Sequence, residues 1–484
     1  MGHRGSVTWL HLSDLHLCEP HNGPNRFRVL TELLRDLKAL RDKERLEPDL
    51  LFVTGDLAYG NLGARKRSLP SQYEEVQRFL RQVQKTFSIP RRRVFLVPGN
   101  HDVNRDLAFR DLTLWLKKVG VREIEDMVDA ADGQWQAFIK RLHEYRKFLE
   151  RYGYQHLLGD PNRLIYAANC RVNDVRVAVA GFNSAWSCGE KNEDRIAMGG
   201  RRQIDWLFRK FANADIKIAL THHPTNWLRT DEATKFEIQL IHDFDFHLHG
   251  HEHLAFVDPR EHFHRIAAGA TYQQGDDITD ENSYNVARID LASGEGHVWL
   301  REFRDSEWGP KRVAPYTDNN GIWKLDHTLH RVIERFRAPR SPRKDLATRQ
   351  GAAVCYKWTP NGLCFLLTLT SKKRWLFPKK KVVGDRPRET ALKAANEEAG
   401  AIGKLDEAML TRFEYRKAGA SIMTDAYLFA VEELIDLPPE QDDRCPTWYS
   451  FKRTVQLLMK DRDQHEWWPL VMVVCKACER LEKK

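Results

Sequence analysis

Short apolar runs alternate with segments of helical periodicity over about the first 300 residues of the chain. Runs of about four to eight apolar residues between turn-forming residues are typical of buried β-strands. Such runs lie at residues 7–12, 50–54, 94–97, 175–181, 216–221 and 244–248. Strands that alternate with helices predict an α/β fold in which helices cover the sheets.

Two amphipathic segments lie between the first three runs, at residues 27–43 and 72–86. The first places four leucines on one helical face, namely Leu30, Leu33, Leu34 and Leu37. Residues 111–154 are helical in pattern throughout, and an aromatic and leucine stripe recurs there at Trp135, Phe138, Leu142, Tyr145 and Leu149. We interpret this stripe as core packing within an inserted segment, and a cap over a site at the sheet edge is the alternative.

A change of composition near residue 340 divides the chain. Residues 336–346 are rich in proline and basic side chains, which is typical of a linker. A new strand pattern begins after them, with its own apolar positions. The sequence therefore predicts a first domain at residues 1–335 and a second domain at residues 347–484.

The composition excludes several classes of protein. The 484 residues include 42% hydrophobic ones, and 77 Lys and Arg stand against 68 Asp and Glu, giving a net charge of +9. Such a chain is neither disordered nor collagen-like. No stretch approaches the about twenty apolar residues that span a membrane, so we expect no membrane partner. The eight cysteines are scattered, which predicts a reducing, cytoplasmic location.

Five of the apolar runs end directly in side chains that bind metals. The groups are Asp14 and His16; Asp56; Asn100, His101 and Asp102; His222 and His223; and His251 and His253. Binding sites in open α/β sheets form at the carboxyl ends of the strands. If these strands are parallel neighbours, all five groups meet at one edge of the sheet.

The types of side chain indicate the chemistry. Carboxylate and amide oxygens together with imidazole nitrogens suit divalent Mn, Fe, Zn or Ni. These side chains outnumber the ligands that one ion takes, so the sequence predicts two ions that share a bridging ligand. Paired ions about 3.5–4 Å apart suit displacement at phosphorus, because they activate water and neutralise the developing charge.

The order of these motifs (DxH, GD, GNHD, HHP and GHEH) resembles the calcineurin-like metallophosphoesterases, and in particular the bacterial class III cyclic-nucleotide phosphodiesterases. The resemblance covers about residues 5–305 and implies a four-layer α/β/β/α sandwich. It implies that one ion is bound by Asp14, His16 and His253, that the other is bound by Asn100, His222 and His251, and that Asp56 bridges them. It also implies that His101 is an acid that does not bind the metals and lies near the leaving oxygen or a phosphoryl oxygen, and that Asp102 orients His101 from behind the site.

Other polar residues lie near these motifs. His223 adjoins a predicted ligand and Arg65 follows Asp56 in a loop, so both are candidates for substrate binding; a structural role for His223 and a solvated loop around Arg65 are the alternatives. His11, His247 and His249 lie within predicted strands. We expect them to be structural or to support the ligands.

Residues 375–401 of the second domain contain a helix that begins near Pro387 and ends at Gly400, with the adjacent carboxylates Glu397 and Glu398. This segment resembles the conserved box of the Nudix hydrolases, and the resemblance covers about residues 348–480. Ala394 stands where the family has a further carboxylate, and its absence weakens Mg²⁺ binding. The resemblance implies a smaller α/β/α domain, with Mg²⁺-dependent hydrolysis or a degenerate phosphate-binding or structural role. The cluster Lys379, Lys380 and Lys381 either grips a polyphosphate or nucleic acid or forms a solvated basic face.

The sequence thus predicts a metal-dependent phosphodiesterase that acts on a nucleotide or related phosphorylated small molecule. One alternative is a nuclease acting on DNA or RNA with the same metals, because the net charge and Phe244-Asp245-Phe246 resemble DNA-repair nucleases of the superfamily. Another is a phosphoesterase controlled by a non-catalytic Nudix-like sensor. A protein phosphatase is the third.

Overall fold

The computed structural model describes most of the 484-residue chain. The described ranges are 5–18, 23–61, 68–107, 115–116, 118–131, 133–189, 196–207, 214–260, 262–273, 282–325, 329–337, 348–360, 362–370, 373–382, 386–417, 420–435, 445–460, 462 and 464–482. The chain divides into two compact units, Met1–Ala338 and Pro339–Lys484. Most of the predicted linker, from residue 338 onward, lies outside the described residues.

The first unit contains two β-sheets. In chain order its strands are β1 (Ser6–Leu12), β2 (Leu50–Thr54), β3 (Val94–Val97), β4 (Tyr166–Val172), β5 (Val175–Gly181), β6 (Ile216–Leu220), β7 (Phe246–His249), β8 (Ala255–Arg260), β9 (Phe263–Ala268), β10 (Ser283–Asp290), β11 (Glu295–Arg304), β12 (Glu307–Pro310) and β13 (Ile322–Lys324). Within the described residues one sheet has seven strands in the order β12-β11-β10-β1-β2-β3, with β13 beside β11. The other has six, in the order β4-β5-β6-β7-β9-β8.

The five strands that end in metal-binding side chains are divided between these sheets, so they are not neighbours in one sheet. Strands β1, β2 and β3 are parallel in the first, and β6 and β7 are parallel in the second. The antiparallel partner β10 occupies the other side of β1. The two sheets pack face to face: the buried rings of Trp9 on β1 and Phe246 on β7 meet edge to face with centroids 5.2 Å apart.

The helices of the first unit pack around these sheets. They are α1 (Gly23–Glu44), α2 (Leu69–Phe87), α3 (Val121–Ala130), α4 (Gly133–Ile139), α5 (His143–Arg151), α6 (Gly200–Leu207), α7 (Thr230–Asp243) and α8 (His330–Arg337). The two predicted amphipathic helices are confirmed as α1 and α2, each a few residues longer. Leu33 and Leu37 are buried as predicted, whereas Leu30 and Leu34 are half-buried. Helix α2 ends where Ser88 adopts a left-handed φ of 55°.

The helical insertion packs into the hydrophobic core of the first unit. Its described part includes α3, α4 and α5, and residues 111–114, 117 and 132 lie outside the described residues. All five residues of the predicted stripe are at most 1% exposed, which confirms the core-packing interpretation for these side chains. Phe148 stacks on Tyr73 of α2 with centroids 4.9 Å apart, and Trp135 meets Trp186 edge to face at 5.0 Å.

The second unit has a sheet with apolar side chains on both faces. Its elements are β14 (Thr348–Thr359), β15 (Gly362–Leu369), β16 (Trp375–Leu376), β17 (Lys379–Lys381), α9 (Pro387–Ala399), β18 (Ala401–Leu405), β19 (Thr411–Lys417), β20 (Ala420–Leu434), β21 (Thr447–Ser450), α10 (Phe451–Met459) and α11 (Gln464–Leu481). Because successive strand residues point to opposite faces, Ala353 packs with Ala391 of α9, while Val354 packs in the cluster that contains Val473 of α11. The predicted helix end at Gly400 is confirmed by its left-handed φ of 58°. No helix in the described part of the chain is long and apolar enough to cross a membrane.

Candidate metal centre

The predicted metal ligands lie on backbone turns that L-amino acids rarely adopt. Five of them have left-handed φ angles, namely Asp14 at 51°, His16 at 44°, Asp56 at 49°, His251 at 72° and His253 at 55°. Such a conformation costs a non-glycine residue about 1–3 kcal/mol and persists only where the surroundings fix it. Residues in such conformations cluster at functional sites. The backbone angles therefore indicate the same turns as functional that the sequence motifs do.

Two glycines allow these turns to approach one another. A Cβ atom added to Gly55, whose φ is 95°, would lie 2.5 Å from Nδ1 of His222. One added to Gly250 would lie 1.8 Å from Oγ of Ser13 and 2.5 Å from Oδ2 of Asp14. Both values are far below the about 3.5 Å of an ordinary carbon contact. The glycines of the GD and GHEH motifs are therefore needed for close approach.

The carboxylate of Asp14 contacts the turn that follows β7. Its Oδ1 atom is 3.1 Å from Nε2 of His253 and 4.0 Å from Nε2 of His16. Its Oδ2 atom accepts the backbone N–H of His251 at 3.1 Å. Ligand atoms of Asp14, His16 and His253 all lie within 4.8 Å of one another. The structure thus brings together the three residues that the resemblance assigns to one ion.

A second group surrounds Nε2 of His222. This atom is 2.9 Å from Oδ1 of Asn100, 3.2 Å from Nδ1 of His251 and 3.4 Å from Oδ2 of Asp56. The same Oδ2 atom of Asp56 lies 3.2 Å from Nε2 of His16, so this carboxylate reaches both groups. Ligands bound about 2.1 Å from one ion lie about 3 Å apart, and these separations are of that size.

Backbone carbonyls set the protonation of the imidazoles. Nδ1 of His16 lies 3.2 Å from the carbonyl oxygen of Tyr272, and Nδ1 of His222 lies 2.7 Å from that of Thr54. A carbonyl only accepts, so each Nδ1 donates its proton there and each Nε2 faces the centre. The sequence did not indicate Tyr272 or Thr54, because a backbone acceptor has no side-chain signature.

The centre combines buried carboxylates with facing imidazoles. Burial raises the pKa of the Asp14 carboxyl, but the imidazoles of His253 and His222 hold that pKa below the usual range. Burial also raises the pKa of the Asp56 carboxyl, but the imidazoles of His222 and His101 hold it well below the usual range. Burial likewise lowers the pKa of His222, yet the Asp56 and Asp14 carboxylates raise it to about 9. The carboxylates therefore stabilise positive charge at the centre, and a bound cation would supply that charge.

The side chains fit divalent transition metals. All seven predicted ligands offer oxygen or nitrogen atoms, and a third group that can hold an ion consists of Asp14, Asp56 and His222. Among the described atoms, the buried Nε2 of His251 has no hydrogen-bond partner, whereas its Nδ1 lies beside Nε2 of His222.

His101 lies beside this centre. Its Nε2 atom is 4.0 Å from Oδ2 of Asp56, its ring centroid is 4.7 Å from that of His16, and its side chain is 23% exposed. Its backbone N–H donates to Oδ1 of Asp56 at 2.8 Å, and Nδ1 donates to the carbonyl of Tyr59 at 2.6 Å. Burial lowers the pKa of this imidazole.

Asp102 is predicted to orient His101, and among the described hydrogen bonds its carboxylate makes none to the His101 ring. It accepts four other donors, which are the backbone N–H groups of Leu57, Ala58 and Gly99 and the hydroxyl of Tyr73, at 2.9–3.2 Å. Two of these donors immediately precede Tyr59, whose carbonyl binds His101. Asp102 therefore acts on the turn that holds His101.

The two candidates for substrate binding have different outcomes. His223 is 3% exposed; its Nδ1 lies 2.9 Å from Oγ of Ser184 and its Nε2 lies 3.8 Å from Sγ of Cys188. Its ring centroid is 4.4 Å from that of His251, and the structure groups it with His222 and His251 as a possible ligand set. Its position is thus behind the ligands. Arg65 lies outside the described residues.

Three other histidines lie in the core, as predicted. His11 is fully buried against Oγ1 of Thr54 at 3.0 Å, and His247 contacts Oγ1 of Thr221 at 2.7 Å. His249 is 4% exposed. Sequence reasoning missed a different residue, Trp227, whose ring centroid is 4.2 Å from that of His251. The signal available in the sequence was an aromatic residue shortly after the HHP motif.

The candidates of the second unit lie where β17 meets the end of α9. The backbone N–H of Lys379 donates to Oε2 of Glu398 at 3.0 Å, and its Nζ donates to Oε1 of Gln350 at 2.9 Å. Lys380 pairs with Glu397. Lys381 is exposed at the end of the same strand, and Ala394 is fully buried. Both carboxylates therefore contact lysines of β17.

Comparisons with known proteins agree with the geometry of the first unit. Residues 7–255, just over half of the chain, match the family described as calcineurin-like phosphoesterase. The "Uncharacterized metallophosphoesterase-like protein YydB" of Bacillus subtilis (strain 168) is 24% identical over 354 residues, which are 68% of this chain and 67% of that protein.

Solved structures give weaker similarities. An Ap4A hydrolase of C. elegans is 16% identical, covering 28% of this chain and 99% of its own, with a TM-score of 0.25. The NUDIX domain of Shewanella oneidensis NrtR is 16% identical, covering 30% of this chain and 95% of its own, with a TM-score of 0.24. Similarity at this level assigns neither a fold nor a function to this chain. The match over residues 7–255 does assign a family: the chain belongs to the calcineurin-like phosphoesterases, which hydrolyse phosphoesters with divalent metal ions.

Proposed function

We propose that the first unit is a dinuclear phosphodiesterase that acts on a nucleotide or a related phosphorylated small molecule. The observation that carries the proposal is the convergence of two ligand groups on the single carboxylate of Asp56. One ion would be held by Asp14, His16 and His253, the other by Asn100, His222 and His251, and both by Asp56. Mn, Fe, Zn or Ni suits this set of oxygen and nitrogen ligands.

Divalent ions in such a pair of sites lower the pKa of a water nucleophile and neutralise charge on the phosphoryl oxygens. The chain itself supplies the proton for the leaving group. Because Nδ1 of His101 is bound to the carbonyl of Tyr59, Nε2 is the nitrogen that is directed toward the centre. Protonated there, His101 donates to the leaving oxygen, which then departs as an alcohol.

The test is hydrolysis of bis(4-nitrophenyl) phosphate and 4-nitrophenyl phosphate by the full chain loaded with Mn²⁺. We expect faster cleavage of the diester and two metal ions per chain. Asp56→Asn should lose activity and metal together, because it removes the shared charge, while the exposed Asp42→Asn should change neither. Absence of hydrolysis in a fully loaded wild-type chain would refute the proposal.

For the second unit we propose that it binds a phosphorylated ligand without hydrolysing it. This is supported by the engagement of Glu397 and Glu398 by Lys380 and the Lys379 backbone, and by the buried Ala394 one helical turn earlier. Calorimetry of the full chain with ATP should show binding that Lys379→Ala weakens. Hydrolysis of ATP that survives Asp56→Asn but not Glu398→Gln would contradict it.

A further inference from the structure

Trp227 is an aromatic side chain at the metal centre that the proposed reaction does not use. Its ring lies at 88° to that of His251, with centroids 4.2 Å apart. It differs from the tryptophans of the core, because Trp9, Trp135 and Trp186 are all fully buried while Trp227 is partly exposed. A large, partly exposed residue thus lies directly beside a predicted ligand.

The side chain of Trp227 is held from the GHEH turn. Its Nε1–H donates to Oε1 of Glu252 at 3.2 Å, and the same oxygen accepts Nδ2 of Asn226 at 3.0 Å. Glu252 stands between His251 and His253 in the chain. The loop that contains Trp227 is therefore hydrogen-bonded to the GHEH turn, which supplies two of the predicted ligands.

The backbone around Trp227 is fixed as well. Its carbonyl accepts the N–H of Ile196 at 3.0 Å, and the carbonyl of Ile196 accepts the N–H of Arg229 at 3.0 Å. Oγ1 of Thr225 accepts a hydrogen bond from Arg265 at 3.0 Å. The position of the ring is therefore set before any ligand arrives, which reduces the entropy that binding must overcome.

A ring held in this way offers a ligand its π surface. Its single donor, Nε1, is already bound to Glu252. Aromatic platforms next to phosphate sites bind nucleobases by stacking, which contributes about 1–3 kcal/mol per base and tolerates every base. In a nucleotide the base is one sugar away from phosphorus, so a phosphoryl group at the metal centre leaves its base near this ring.

We infer that Trp227 is the specificity residue on which the nucleobase of the phosphodiester substrate stacks. The inference rests on the proposed function and narrows its substrate class to diesters that carry a base. The rival role is mechanical, in which Trp227 only supports His251. That role predicts equal losses for every substrate and a loss of metal, whereas stacking predicts a loss confined to substrates with a base.

The test uses two diesters with the same leaving group, thymidine 5′-(4-nitrophenyl phosphate) and methyl 4-nitrophenyl phosphate, with the Mn²⁺-loaded full chain. We expect the wild type to favour the thymidine ester in kcat/KM by at least about tenfold, the equivalent of about 1.4 kcal/mol. Trp227→Phe should keep the preference. Trp227→Leu, which keeps apolar bulk against His251, and Trp227→Ala should lose this preference through a higher KM for the thymidine ester.

The exposed Tyr316 serves as the control for losing an aromatic side chain, and Tyr316→Ala should keep the preference.

Binding without turnover gives a second measurement. In calorimetry, thymidine 5′-monophosphate should bind at least about tenfold more tightly than methyl phosphate to the wild type, and equally to Trp227→Leu. Equal losses on both esters with lower metal content, or a preference that survives Trp227→Ala, would overturn the inference while leaving the phosphodiesterase intact. A loaded chain that cleaves neither ester would overturn the proposed function, and the inference with it.

Discussion

Nδ1 of His101 donates to the carbonyl oxygen of Tyr59 at 2.6 Å, and this one bond determines which nitrogen the ring turns toward the metal centre. The acceptor belongs to the turn after β2, while His101 follows β3. Because these strands are parallel neighbours, their carboxyl ends place the two residues side by side. The orientation of the proposed acid is therefore a property of the sheet.

Replacing His101 with alanine should separate metal binding from turnover. The ring is not among the predicted ligands, so we expect Mn²⁺ content to stay at the wild-type level. Turnover of a diester should fall about 100- to 10,000-fold, the usual effect of removing a general acid. His330→Ala, an exposed histidine at the start of α8, is the control. Wild-type turnover in His101→Ala, measured at saturating substrate, would remove His101 from the mechanism.

Asp102→Asn should destabilise the first unit, because its carboxylate accepts four buried donors. An amide in this place turns one acceptor into a donor that faces N–H groups, at a cost of about 2–3 kcal/mol. Tyr73→Phe removes only one of the four donors, so it should cost about 1 kcal/mol. Urea unfolding of both variants measures the difference. Equal stability of Asp102→Asn and the wild type would show that the carboxylate does not hold these turns.

Gly250→Ala should abolish metal binding, since its Cβ atom would lie 2.5 Å from Oδ2 of Asp14 and 1.8 Å from Oγ of Ser13. Either the GHEH turn or the ligand must move. Gly309→Ala is the matched control, because nothing lies within 4 Å of the Cβ atom it adds. Metal analysis and thermal unfolding of the two variants give the comparison, and full Mn²⁺ content in Gly250→Ala would contradict the geometry.

The first unit should lose stability in mild acid through its buried histidines. Burial lowers the pKa of His264 from 6.5 to about 4. Between these values the unfolded chain binds a proton that the folded chain does not, so the free energy of unfolding falls as the pH drops from 6.5 to 4. The full contribution of this one group is about 3 kcal/mol.

The variant His264→Phe isolates that contribution. A phenyl ring keeps the stacking on Phe246, whose centroid is 5.2 Å from that of His264. The free energy of unfolding, measured in urea between pH 7 and pH 4.5, should depend less steeply on pH in the variant. An unchanged slope would mean that folding does not shift the pKa of His264.

The sequence predicted the elements of the first unit more closely than their arrangement. The runs at 50–54, 94–97 and 175–181 are strands with those bounds. An apolar run indicates that a strand is buried, but it does not indicate which strand lies beside it. Strand β1 pairs with β10, about 280 residues later in the chain, and β6 and β7 belong to the other sheet. The residue pattern indicated neither arrangement.

For the metal centre, the sequence predicted the side chains but not the backbone groups that orient them. Asp14, Asp56 and His222 were visible because carboxylates and imidazoles directly after apolar runs are costly to bury unless they bind a cation or one another. The carbonyls of Thr54 and Tyr59 that orient the imidazoles were invisible, since every residue has one. For the same reason the sequence did not show which backbone groups Asp102 binds; the structure turns its carboxylate toward the backbone of the neighbouring turn.

The division of the ligands between two sheets has a consequence for how the unit can be cut. The amino-terminal half carries Asp14, His16, Asp56 and Asn100, and the three late imidazoles His222, His251 and His253 all belong to the carboxyl-terminal half. A fragment that ends before β6 would keep both carboxylates but only one of the four predicted imidazole ligands. Two such fragments, expressed separately, should regain an ion only after they reassociate, so metal retention offers a direct signal of complementation between the halves.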